Sequence, residues 1–94
     1  MYSLTNQIRK AGVSVPSNIA EGQAQGTTRS FIHHLGIAYG SLCEVETQAC
    51  NAARRRYVES QALDELMKLS ADVGRLIHGL MRSLRDSRHP MSDR

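Results

Sequence analysis

Arg75, His78, Arg82, Arg85 and His89 recur at steps of three and four. On an α-helix that spacing sets all five on one face. A guanidinium is planar and always charged, and its fork of donors matches the oxygens of a phosphate or carboxylate. The chemistry this stripe offers is therefore anion binding. Upstream, Glu65, Lys68 and Asp72 nearly balance one another, whereas Asp86 alone opposes the later stripe. Arg54, Arg55 and Arg56 form a second basic cluster. The plain alternative for both is a solvated surface whose cations complement a helix C-terminus.

Asn18, Glu21, Ser41, Glu44 and Gln48 are the other polar residues with a pattern. Ser41, Glu44 and Gln48 share one helical face. Glu21 and Glu44 could serve as an acid/base pair if the fold brought them together, but spacing alone fixes no distance between them. The competing reading is a polar network that sets helix register, since buried polar groups demand partners and so specify geometry. Metal binding finds no support in the spacing. His33 and His34 are neighbours and point about 100° apart on a helix. The sequence has no His-x-x-x-His, Glu-x-x-His or Cys-x-x-Cys, the spacings a bundle metal site or zinc site uses. No metal, cofactor or small-molecule substrate is expected.

Cys43 and Cys50 are seven residues apart on one helical stretch, about 10 Å along the axis, which is too far for a disulfide between them. They read as buried free thiols, consistent with a reducing cytoplasm. The N-terminus lacks the apolar core of a signal peptide, and no apolar run approaches the ~20 residues of a membrane span.

The elements that position these groups are helical. The apolar residues Phe31, Leu35, Ala38, Leu42, Val45, Ala49 and Ala52 alternate four and three without a break, which fits one helical seam and no strand. A column of small residues, Gly36, Gly40, Cys43, Thr47 and Cys50, accompanies it and predicts close neighbours on more than one side. Helix one is expected over 4–20, with its stripe at Leu4, Ile8, Ala11, Val15 and Ile19, a kink at Pro16 and a C-cap at Gly22. Helix two is expected over 28–55, capped by Thr27 or Thr28. Helix three is expected over 61–86, capped by Ser60, with a seam at Leu63, Leu66, Ser70, Val73, Ile77, Leu80 and Leu84. Met67, Leu69, Leu76 and Met81 widen its apolar surface. The polar tail, 87–94, is expected to fray. A chain of 94 residues with no second block of pattern reads as one domain.

The segments Leu4-Thr5-Asn6-Gln7-Ile8-Arg9-Lys10-Ala11, Val15-Pro16-Ser17-Asn18-Ile19-Ala20-Glu21-Gly22 and Gly40-Ser41-Leu42-Cys43-Glu44-Val45-Glu46-Thr47-Gln48 resemble the four-helix-bundle family of proteins encoded in intervening sequences of 23S ribosomal RNA genes. That family is similar to the accessory variability protein of diversity-generating retroelements. The resemblance is specific from Leu4 to about Gln48 and rests on helical character beyond it. It implies an antiparallel bundle that assembles into a ring, commonly a homopentamer, and no established enzymatic activity. In the retroelement relatives a basic surface is associated with RNA and a reverse transcriptase. The family pattern has a full helix before the segment matching Tyr2-Ser3-Leu4, so three helices are expected here, the family bundle without its first.

These readings converge on an all-α antiparallel helical bundle of three helices. It is expected to be cytoplasmic and non-enzymatic and to self-associate through an apolar groove. Arg54, Arg55, Arg56, Arg75, Arg82 and Arg85 would bind RNA or a nucleic-acid-associated protein. The rival readings are a protein–protein adaptor without nucleic-acid binding, and an enzyme using Glu21 and Glu44.

Overall fold

The computed structural model describes residues 2–87. It contains three helices, α1 (Tyr2–Ala24), α2 (Thr28–Arg54) and α3 (Ser60–Ser87), and no strand among the described residues. The fold is all-α, as the periodicity predicts. The expected tail lies, from residue 88 on, outside the described residues.

Helix α1 outruns its predicted end by four residues. Pro16 lies inside the helix without ending it. Both Pro16 and Gly12, whose carbonyl loses its partner to the proline, are exposed, so water can take the freed oxygen. The predicted C-cap at Gly22 is corrected. Gly22 is buried within the helix, where a Cβ would lie 2.7 Å from His34 Cβ and 3.2 Å from Phe31 Cα. This glycine serves close packing of two helices. The turn is made four residues later by Gly26, at φ +80°, a conformation that costs glycine little.

Thr27 caps α2: its Oγ1 accepts from the Ser30 N–H at 3.1 Å, while its backbone is extended. The C-terminal end closes with two reverse bonds. The Arg56 N–H donates to the Ala53 carbonyl at 2.9 Å and the Tyr57 N–H to the Ala52 carbonyl at 2.8 Å. Arg56 sits at φ 64°, the left-handed position this capping motif usually gives to glycine.

Helix α2 is the middle of the molecule. Ser14 meets Ser41 and Gly22 meets His34 on one flank. On the other, Glu46 meets Ser70, Leu42 meets Gly74 and Tyr39 meets His78. Residue numbers fall along one partner as they rise along the other, so both flanking helices run antiparallel to α2. Among the described residues no Cα of α1 comes within 8 Å of one of α3. The result is a layer rather than a globule, with extents of 53 × 21 × 13 Å and a radius of gyration of 15.7 Å, against about 13 Å for a compact domain of 100 residues.

The α2 seam is buried as its spacing predicts at Leu35, Ala38, Leu42, Val45, Ala49 and Ala52. Leu35 and Ala38 form the core with Ile77 and Met81 of α3, and Val15 and Ile19 of α1 pack over it. Two expectations are overturned. The small column faces away from both neighbours: Gly36, Gly40, Cys43 and Thr47 are exposed, and a Cβ at either glycine would meet nothing within 4 Å. Cys43 is accordingly exposed and Cys50 half-buried, not the buried thiols expected. The column lies roughly opposite the seam on the helix, and the two neighbours take the flanks between them. On α3 the buried line is Ser70, Gly74, Ile77 and Met81. Leu80, placed in the seam by spacing, is 39% exposed, and Leu69 and Leu76 are 62% and 73% exposed.

Candidate nucleic-acid interface

The layer has two unlike faces. One is apolar, where the α2 seam is flanked by Val15 and Ile19 of α1 and by Val73 of α3, with Leu76 and Leu80 beyond. The other carries the small column of α2, with an open groove on each side of it. The basic residues of α3 lie on this second face.

The α2–α3 groove has a volume of about 670 Å³. Its walls come from spaced turns of the two helices: Tyr39, Cys43 and Glu46 from α2, and Ser70, Arg75, His78 and Arg82 from α3. The Tyr39 and His78 rings meet with centroids 4.3 Å apart, tilted by 59°. Gly74 lies beneath them, where a Cβ would rest against the Tyr39 ring at 3.4 Å, an ordinary packing distance. The buried Ser70 hydroxyl donates to the Glu46 carboxylate, so the one polar side chain of α3 that is buried among the described residues is satisfied. Arg75 pairs with Asp72 one turn away, and both are largely exposed. Such a pair contributes little stability and exchanges readily for another anion. Arg82 and Arg85 are exposed and have no ion-pair partner among the described residues. The stripe predicted over Arg75, His78, Arg82 and Arg85 is thus one exposed face bordering a groove, while His89 lies outside the described residues.

The second basic cluster is elsewhere. Arg54, Arg55 and Arg56 are exposed at the C-terminal end of α2, where α3 begins. Arg82 and Arg85 lie near the opposite end of the layer. Within the chain the two clusters do not merge. Arg29 and His33, which spacing did not single out, are exposed on the outward column of α2. The antiparallel register sets them at the end of the layer where α3 carries Arg82 and Arg85. Their signal in the sequence was the column itself, which extends upstream from Gly36 by steps of three and four.

The polar signature residues divide into three groups. Asn18 Nδ2 donates to the Ser14 carbonyl and hydroxyl, each at 2.9 Å, and the Ser14 and Ser41 hydroxyls meet at 2.7 Å. This chain ties α1 to α2, and Ser14 is the member that spacing missed. Gln48 Nε2 donates to Glu44 at 3.3 Å within α2. Glu21 stands 4.0 Å from His34 Nε2, while His34 Nδ1 donates to the Ser30 carbonyl at 2.9 Å. In the α1–α2 register Glu44 is level with Ala11, ten residues from Glu21 and about 15 Å along the axis. The structure does not bring the two carboxylates together.

Among the described residues no group of three or more His, Cys, Asp or Glu side chains could hold a metal ion. No helix among them is long and apolar enough to cross a membrane. Neither the curated proteins nor the solved structures give a match to this chain. A family model described as 23S rRNA-intervening sequence protein matches residues 1–79. That match covers most of the 94 residues, including all of α1 and α2 and α3 through the Tyr39–His78 contact. The chain belongs to the 23S rRNA-intervening sequence protein family.

Proposed function

We propose that this protein is a non-enzymatic, self-associating helical protein that binds RNA, alone or within a nucleoprotein, through its Arg-rich face. The observation that carries this reading is the exposed stripe of Arg75, Arg82 and Arg85 beside an open groove, with only Asp72 paired to it among the described residues. Backbone phosphates meeting several guanidinium groups at once would supply affinity with little sequence information. Arg56 adds support at the other end, since an arginine there stands where glycine would be less strained.

The opposite face supports the self-association part of this reading. Leu66, Leu69, Val73, Leu76 and Leu80 step by three and four, and three of the five are exposed in the protomer. A seam of that spacing fits a neighbouring helix, and an apolar surface of this kind marks an interaction site. A second copy of the chain would cover it and repeat the basic stripe across the assembly. The unbridged thiols fit a reducing, cytoplasmic setting.

The test is the triple variant Arg75→Gln, Arg82→Gln, Arg85→Gln. It is expected to weaken binding about equally for RNAs of unrelated sequence, with helix content and oligomer mass unchanged. Parent and variant binding alike, or a parent that retains no RNA at low salt, would leave the arginines as a solvated surface.

A further inference from the structure

The groove between α2 and α3 is more than a row of cations, and its aromatic wall narrows the class of ligand. Tyr39 is half-buried and tilted against the exposed His78 ring. Arg75 and Arg82 lie on either side of that pair along α3, seven residues apart, or about 10 Å at 1.5 Å rise per residue. The α3 wall between them is low: Gly79 lines the groove, and a Cβ there would meet nothing within 4 Å. The groove thus offers planar π surfaces between two guanidinium groups, with space above them. A duplex turns its base faces inward on one another, whereas an unpaired strand can lay a base on an aromatic ring.

We propose that this groove is a binding track for unpaired RNA, in which a base stacks on the Tyr39–His78 pair and the adjoining phosphates take Arg75 and Arg82. The proposal rests on the RNA-binding reading above and deepens it. Asp72 is displaced from Arg75 by the incoming phosphate. Glu46 is held back by the Ser70 hydroxyl and marks the end of the track, where a phosphate is repelled.

The full chain is titrated with a ten-nucleotide oligouridylate and with a duplex RNA of equal length. Binding is expected to favour the unpaired strand. Tyr39→Leu, which keeps an apolar side chain against the core but removes the ring, is expected to weaken oligouridylate binding about ten-fold. Tyr39→Phe is expected to remain within about two-fold of the parent. A second measurement on the parent is independent of any substitution. Cys43 lines the groove and is exposed, so oligouridylate is expected to slow its maleimide labelling, while labelling of the half-buried Cys50 is unchanged. If the parent binds oligouridylate but Tyr39→Leu binds equally and Cys43 stays open, the track is refuted and the general RNA-binding reading survives. A duplex that binds as tightly and protects Cys43 equally also refutes it, as does polyglutamate that competes as well as RNA. A parent that binds neither RNA overturns the reading beneath the proposal as well.

Discussion

Arg56 and Gly22 show how far single residues depart from what their types suggest. Arg56 holds a left-handed backbone, φ 64°, where a side chain costs roughly 1 kcal/mol and glycine costs little. Arg56→Gly is expected to raise the stability by about 1 kcal/mol, read from the denaturant midpoint at unchanged slope. Gly22 is the reverse case. A Cβ there would lie 2.7 Å from His34 Cβ, an atom fixed near the neighbouring backbone. Gly22→Ala is expected to destabilise by about 1–3 kcal/mol. Gly79→Ala, at a helical site open on all sides, is expected to gain up to about 1 kcal/mol from helix propensity alone. A gain at both glycines would mean that α1 and α2 do not approach closely at Gly22. The sequence shows a glycine in each case. It does not show whether that glycine serves a turn, a contact or neither, because the answer depends on a residue far away in the chain.

At the scale of elements, α2 was the most legible. Seven apolar residues at unbroken helical spacing predicted the buried line, and six of them are buried, with Phe31 half-buried at the end. Leu35→Ala is expected to destabilise by about 2–5 kcal/mol, since Leu35 is fully buried. An unchanged thermal midpoint would show the seam to be exposed. Helix α3 is less legible because it is apolar on two adjoining faces. Spacing alone cannot say which of Ile77 and Leu80 points inward, and α2 chooses Ile77 and Met81. The small column of α2 misled for a related reason. Small residues permit a close neighbour, but they do not supply one, and here the flanks of α2 took both. The candidate interface was legible as a stripe of arginines. Its aromatic wall was not, because Tyr39 and His78 are brought together only by the antiparallel pairing of two helices.

For the whole molecule the decisive feature is the 13 Å layer. A single layer of helices cannot bury both faces, and Leu69 and Leu76 are left largely in solvent. The parent is expected to scatter light as an oligomer at micromolar concentration. The double variant Leu69→Glu, Leu76→Glu is expected to shift to monomer with its helix content intact, because neither side chain is part of the protomer core. A parent of monomer mass would contradict the assembly. The charged face gives the sharper test of the central claim that the arginines hold RNA by its phosphates. RNA affinity is measured across a range of salt concentrations for the parent and for the Arg75→Gln, Arg82→Gln, Arg85→Gln variant. Each phosphate contact on a single strand adds about 0.7 to the slope of log affinity against log salt. Loss of three contacts is therefore expected to flatten the slope by about 2. Equal slopes for parent and variant, or a parent whose RNA affinity does not fall with salt, would contradict the claim.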